Sequence, residues 1–562
     1  MFLWILACFY SLYKLLRAQT EILESNPDLH YELRDLIPGW GFLSRFKDEA
    51  DVEWSTWKYH VQNSWLYMLF QFVISETIRR FNVHLLKYWY ILSSIIFITS
   101  FMGFKQLVVI FAQPVIFSAI VFSGGGKISI WLTSIFLLAL YNSMKYKYFF
   151  WYFLDTDHLK DEEVFVILYG IAWVELRCIS FCLDYVDRKE KLANQAQEKE
   201  KLKEASVFEE LINMFSYILY LPLLFVGPLI LYEEFEKSFC VTNEKLTMRL
   251  KCFILEMLRF QIYTIILELA FHFVYFYAMQ SQIEAILKMP SLALCGGGLW
   301  MGLEFHMKYV ISYGTAAAYS RLDNIDPPPT PRCIVRIHVY SQMWRYFDVG
   351  LYRFLLKYIY KPVFTTLSNY FTMPKITNKL ISSFITFVFI FMWHGTMWNI
   401  LVWSVLNYIE YAGKAASKTA RYTLFKEKYL KTDAMEVRFT AFLCAPLLGM
   451  SAISNFYLFA GSEVGNLYLE LLKWPSLYNA VLVYSSLYCC CHVAIALSDV
   501  SSRTDVKKTE MKTIDPKVEI NVAASGGVGG GQHGGAGSEA ADDASLGNAY
   551  TSLLHRFQQT AV

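Results

Sequence analysis

Long apolar runs bounded by charged residues set the pattern of this chain. After a first run at Met1 to Leu16 they fall near residues 64–78, 88–103, 106–123, 128–143, 163–186, 211–232, 252–279, 291–318, 376–411, 439–460 and 477–498. A helix needs about 17–25 predominantly apolar residues to span the hydrocarbon of a bilayer, and shorter runs suit re-entrant or buried helices. The pattern predicts an all-α polytopic membrane protein of roughly ten to twelve transmembrane and re-entrant helices. In the first run the basic residues Lys14 and Arg17 sit at the end rather than the beginning, and no small-residue cleavage site appears. That run is predicted to be a retained span rather than a cleaved signal peptide.

Composition agrees with the pattern. Of 562 residues 55% are hydrophobic and only 18% charged, and the mean hydropathy is +0.32, which is too apolar for a water-soluble domain of ordinary surface. Aromatic residues reach 17%, as expected of spans whose ends sit among lipid headgroups. A net charge of +2 leaves no basic footprint for nucleic acid. The eleven cysteines form no CxxC pair with metal-like partners. They are predicted to be reduced thiols, and Cys489 to Cys491 in "YCCCH" suit either buried packing or a thioester-linked acyl chain.

Two segments dense in Lys and Glu, Asp187 to Glu204 and Lys414 to Lys431, read as solvated helical linkers on the cytoplasmic side. After Ser501 the composition changes to a glycine-rich, polar sequence. The predicted organisation is therefore a membrane domain over residues 1–500 and a disordered tail over 501–562.

Polar groups inside the apolar runs carry the candidate chemistry, because hydrocarbon does not accept them without a reason. Glu175, Arg177, Asp184, Glu256, Arg259 and Glu268 are predicted to face a protein interior or a water-filled cavity. Between Cys295 and Tyr360 a glycine triplet (Gly296 to Gly298) is followed by "DNIDPPPTPRC", which cannot be helical, and then by an amphipathic segment, "SQMWRYFDVGLYRFLLKYIYKP". There Trp344, Phe347, Leu351, Phe354 and Leu355 recur at helical steps while Arg345, Asp348 and Tyr352 share another face. Asp348 beside Arg345 reads equally as a structural ion pair or as a functional carboxylate.

In "FMWHGTMWNILVW" an ionisable His394 interrupts an aromatic run. A lone histidine in an apolar helix is ordinarily a hydrogen-bonded core residue. An imidazole nevertheless titrates near neutrality, at about 6.5, and so works as a base where Asp or Lys would need a large shift. Gly395 is expected to allow a close approach to the backbone, with Trp393 and Trp398 walling an apolar channel. A base beside an acyl-chain-sized channel suits acyl transfer from a lipid thioester to an acceptor.

"MWRYFDVGLYRFLLKYIYKP" followed by "MWHGTMWNILVWSVLNYIE" resembles the paired Asp and His signatures of the membrane-bound O-acyltransferase superfamily, and within it the Hedgehog acyltransferases. "LRCISFCLDY", "YILYLPLLFVGPLILYEEF", "PRCIVRIHVYSQMWRYFDVG" and "SNFYLFAGSEVGN" carry the same likeness, which spans about residues 1–500. The resemblance implies His394 and Asp348 as catalytic residues, Trp344 and Arg345 at the acyl-donor site, and Cys333 as the thiolate ligand of a haem b. It implies an endoplasmic-reticulum (or Golgi) multi-pass enzyme embedded in membrane lipid. Such an enzyme moves palmitate from palmitoyl-CoA, its acyl-CoA co-substrate, to the N-terminal cysteine of a secreted Hedgehog-type signalling protein. The alternatives are an enzyme of the superfamily that acylates a serine hydroxyl or a lysolipid, and a non-catalytic membrane scaffold.

Overall fold

The computed structural model describes residues 2–33, 35–143, 160–195, 206–240, 245–334, 340–417, 428–471 and 477–513, together with Phe425. The chain divides into two units, 1–502 and 503–562. The glycine-rich tail beyond Thr513 and half of the Lys-rich segment 414–431 lie outside the described residues.

The protein is an all-α polytopic membrane protein. Helix α1 (Phe2–Ser25) leads into a two-stranded antiparallel hairpin, β1 (Leu36–Pro38) and β2 (Phe46–Asp48), paired with Ile37 opposite Lys47. Then follow α2 (Val52–Phe81), α3 (Leu85–Phe97), α4 (Phe104–Phe122), α5 (Lys127–Asn142), α6 (Asp161–Gln195) and α7 (Val207–Ile218). The second half comprises α8 (Leu246–Phe271), α9 (Ser291–Leu322), α10 (Tyr340–Tyr346), α11 (Val349–Leu355), α12 (Lys361–Tyr370), α13 (Lys375–His394), α14 (Trp398–Ser417), α15 (Asp433–Leu471) and α16 (Leu477–Thr513). Among the described residues six helices are long and apolar enough to cross a bilayer: 85–102, 104–122, 162–193, 375–394, 433–471 and 480–498. Helix α8 adds an outward ridge of Ile254, Leu255, Leu258, Ile262, Ile265 and Ile266, all exposed, of the kind that acyl chains cover.

The interior polar residues follow the expectation with one exception. Glu175 is buried and accepts from the Ser134 hydroxyl at 2.7 Å. The Arg177 guanidinium is spent on the carbonyls of Ile218 and Leu223. Asp184 takes Lys357 and Tyr358, and Glu268 takes Lys47 and Lys58. Arg259 instead stands on the exposed face of α8, its guanidinium 4.8 Å from the Phe260 ring centroid. A long stem that carries its charge away from the apolar ridge accounts for its position.

Two sequence expectations take another form. The glycine triplet does not interrupt a span but lies inside the 32-residue α9. A Cβ on Gly296 would run into the Ser11 carbonyl, so the triplet is the close crossing of α1 over α9. The apolar run 376–411 is two helices, α13 and α14, broken at Gly395 with φ +112°. Helix α9 is tied to the start of α2 by Lys308, whose ammonium lies 2.5 Å from Asp51 and 2.9 Å from Glu53. That anchor fixes the helix from which Tyr313 reaches the candidate site.

Candidate functional site

The amphipathic segment after the proline run is not one helix. It breaks between Tyr346 and Val349, and Asp348 becomes the N-cap of α11, its Oδ1 accepting from the Leu351 N–H at 2.9 Å. A capping carboxylate satisfies one of the N–H groups that a helix start leaves unpaired. Its other oxygen, Oδ2, accepts from the Tyr313 hydroxyl at 2.9 Å. Among the described residues Asp348 forms no ion pair with Arg345. Arg345 is exposed, and its guanidinium packs 5.8 Å from the Tyr352 ring centroid. In place of an ion pair with Arg345, Asp348 is held as a helix cap and by Tyr313.

His394 is the last residue of α13. The helix stops there because Gly395 adopts φ +112°, a conformation that residues with a Cβ rarely take. A Cβ at Gly395 would meet nothing nearer than Asn142 Oδ1 at 3.8 Å, so this glycine serves the turn and not a close approach. Although the His394 side chain is accessible, two rings flank it edge-on, Trp393 at 4.8 Å and Trp403 at 5.0 Å between centroids. Among the described residues no side chain hydrogen-bonds the imidazole, so it is not the satisfied core histidine that the apolar run alone would suggest.

Asp348 and His394 share no hydrogen bond among the described residues. They are the ends of a belt of rings. From His394 the belt runs through Trp393 to Trp173 at 5.5 Å, from Trp173 to Tyr313 at 6.4 Å, and through the Tyr313 hydroxyl to Asp348. A second branch runs from Trp403 to Trp344 at 5.5 Å, with the Trp344 indole N–H donating to Asn407 Oδ1 at 3.0 Å. Such packed rings present an apolar, rigid surface with few rotamers to order, of a kind that suits an acyl chain. Trp344 thus stands one ring from His394's neighbour, whereas Arg345 has no described contact with the belt. Trp398, expected to wall the channel, is 67% exposed, and Trp403 takes that position.

Sequence reasoning missed Trp173, Tyr313, Trp403 and Asn142. The first three lie at unremarkable positions of long helices, and only their convergence gives them meaning. Asn142, the last residue of α5, carried one signal, an amide at the end of an apolar run.

Cys333 is a free, half-buried thiol. It follows Arg332, whose backbone N–H donates to the Tyr346 carbonyl at 3.0 Å. An axial thiolate for a haem must be an unpaired cysteine, and Cys333 meets that condition. Residues 335–339, which follow it, lie outside the described residues. Among the described residues there is no group of three or more His, Cys, Asp or Glu side chains able to hold a metal ion. In the cysteine run, Cys491 is buried, and Cys490 accepts from the Trp4 indole at 3.0 Å.

The membrane-bound O-acyltransferase family profile matches residues 117–445, more than half of the chain and a span that contains both Asp348 and His394. The chain is similar to the protein-cysteine N-palmitoyltransferase Rasp of Drosophila melanogaster, 29% identical over 386 residues that cover 67% of this chain and 71% of that protein. It is similar to the protein-cysteine N-palmitoyltransferase HHAT of Mus musculus, 29% identical over 293 residues covering 50% of this chain and 56% of that one. A more distant similarity, 24% over 306 residues covering 50% and 49%, is to the membrane-bound O-acyltransferase GUP1 of Candida tropicalis.

Proposed function

The chain belongs to the membrane-bound O-acyltransferase family and is a membrane-bound acyltransferase, and from that premise we propose that it is a protein-cysteine N-palmitoyltransferase. Its substrates are palmitoyl-CoA and the N-terminal cysteine of a secreted Hedgehog-type signalling protein. The enzyme works in the endoplasmic-reticulum or Golgi membrane, with acyl-CoA reaching the centre from the cytoplasmic side and the acceptor from the lumen. The observation that carries this reading is His394 itself: an accessible imidazole, free of described side-chain hydrogen bonds, between two indoles at the end of a span.

The chemistry follows from what each group is able to do. The acceptor nitrogen attacks the thioester carbonyl, the C–S bond breaks, and CoA leaves as a thiol. The proton lost by the nucleophile has to reach the departing sulfur, and a neutral imidazole is able to accept a proton and return it. Asp348 has both oxygens held, one by Tyr313 and one by the cap of α11, and its remaining lone pairs are fixed in space to receive an acceptor N–H. Trp344, Trp393 and Trp403 offer the acyl chain an apolar face beside the imidazole, and that alignment supplies much of the rate. Arg345 is assigned to the CoA end, where an exposed guanidinium suits phosphate. A haem, when bound, would be held by the Cys333 thiolate, and its part would be structural, because acyl transfer moves no electrons.

The test uses purified full-length protein, labelled palmitoyl-CoA and peptides beginning with Cys, Ser or Ala. Hydroxylamine-resistant label on the Cys peptide supports the reading. Label confined to a serine hydroxyl or to lysolipid transfers the enzyme to another acceptor class, and no transfer to any acceptor favours a scaffold.

A further inference from the structure

We propose that Asn142 is the positioning residue of His394, a clamp that sets the angle at which the imidazole leaves the end of α13. This inference rests on the reading of His394 as the general base and adds a second residue, on a different helix, to its machinery.

Helix α5 runs beside α13, with Trp131 meeting Phe389 edge-on at 5.7 Å, and it ends beside the His394 turn. There the Asn142 side chain makes three hydrogen bonds. Its Nδ2 donates to the Met392 carbonyl at 2.8 Å and to the Leu138 carbonyl of its own helix at 2.8 Å. Its Oδ1 accepts from the Thr396 N–H at 3.1 Å. One planar amide therefore grips the backbone on both sides of His394, two residues before it and two after.

The polarity of those contacts selects the residue. Two carbonyls need donors and one N–H needs an acceptor, and a primary amide supplies both on one rigid plane. An aspartate in the same place would direct oxygen at the two carbonyls. A leucine would leave the Met392 carbonyl and the Thr396 N–H without a side-chain partner, where the last turn of a helix already lacks internal ones.

The need for such a clamp follows from the turn. Gly395 at φ +112° is the hinge, and a glycine has the widest choice of backbone angles of any residue. His394 has no described side-chain hydrogen bond to orient its ring. What remains to set its direction is ring packing by Trp393 and Trp403 and the fixed path of the backbone from 392 to 396. Trp393 is itself held, its indole N–H donating to the Ala172 carbonyl at 3.2 Å. The clamp thus limits a hinge that would otherwise swing the base, and a displacement of about 1 Å at a reacting group can cost about a hundredfold in rate.

The experiment compares wild type, Asn142→Asp, Asn142→Gln, His394→Ala and the double variant His394→Ala/Asn142→Asp. Each is purified at full length, and turnover of palmitoyl-CoA and a Cys-initiated peptide is expressed per folded molecule. Asn142→Asp is expected to lower kcat by about tenfold to a hundredfold while KM for each substrate stays within about twofold. Asn142→Gln, which keeps donor and acceptor on a longer arm, is expected to recover part of that loss. It also serves as the test variant where Asn142→Asp yields no folded protein. In the His394→Ala background Asn142→Asp should cost nothing further, because a residue that acts through the imidazole has nothing left to position. The clamp is excluded if Asn142→Asp keeps wild-type kcat, if it lowers activity by the same factor with and without His394, or if it acts on KM alone. A His394→Ala enzyme with wild-type turnover removes the base, and the clamp with it. An inactive His394→Ala beside fully active Asn142 variants removes the clamp only.

Discussion

Tyr313 and Asp348 are joined across two helices: the phenol of α9 donates to the carboxylate that caps α11 at 2.9 Å. The same Tyr313 ring is in the belt that reaches Trp173 and, through Trp393, His394. Tyr313→Phe removes the hydroxyl and keeps the ring, so it isolates the hydrogen bond. A half-buried carboxylate that loses one of two partners is expected to cost about 1–3 kcal/mol in fold stability. If Asp348 orients the acceptor, turnover falls as well. Thermal denaturation and turnover per folded molecule, measured on one preparation, check both; unchanged stability and activity would show that the bond contributes to neither.

His394→Ala is expected to lower turnover by about a hundredfold or more while acyl-CoA binding survives, since general base catalysis contributes about 10² to 10⁴ in rate. Asp348 needs two variants because it both caps a helix and faces the belt. Asp348→Asn keeps an oxygen for the Leu351 N–H and is expected to lower activity in folded protein. Asp348→Ala also removes the cap, at about 1 kcal/mol, and is expected to lower expression too. Near-normal specific activity in both His394→Ala and Asp348→Asn would sink the catalytic assignment.

Gly350 is buried, and a Cβ there would run into the Leu229 carbonyl. Gly350→Ala is expected to destabilise by about 1–3 kcal/mol through overpacking of rigid backbone. Gly302→Ala, whose Cβ would meet only the Ile334 Cδ1 at 3.6 Å, is expected to be neutral or slightly stabilising within a helix. Melting temperatures of the two variants, ranked against wild type, decide the matter.

Asp48, at the end of β2 and outside the spans, accepts from the N–H groups of Ala50, Tyr277 and Ala278 at 3.1, 2.9 and 3.0 Å. Burial outweighs those three donors and pushes its carboxyl up to about 7 from an ordinary value of 3.8. The folded state therefore binds this proton more tightly than the unfolded chain does. Its contribution to stability is complete below about pH 4 and is lost as the pH rises through about 7. Asp48→Asn carries no titrating proton, so its melting temperature should depend less steeply on pH over that window than the wild type's. Equal slopes would exclude Asp48 as the source.

If Cys333 holds a haem as proposed, Cys333→Ser is expected to abolish a Soret absorption band in purified protein, because a serine hydroxyl does not replace a thiolate at haem iron. A wild-type protein without a Soret band, or a variant that keeps it, removes haem from Cys333.

The membrane class, the position of most helices and the identity of His394 and Asp348 as candidates were legible in the sequence. Apolar run length, helical period and the cost of a polar group in hydrocarbon are local properties, carried by neighbouring residues. Only the tertiary structure decided the partners. The sequence offered Arg345 to Asp348, and folding gave it Tyr313, thirty-five positions away. It offered Trp398 to His394, and folding turned Trp403 inward instead, because Gly395 redirects the chain before α14 begins. Asn142 reaches the same turn from some two hundred and fifty residues earlier. Contacts of that separation depend on how helices cross, and helix crossings are set by ridges, grooves and close-packed glycines, which no local pattern encodes.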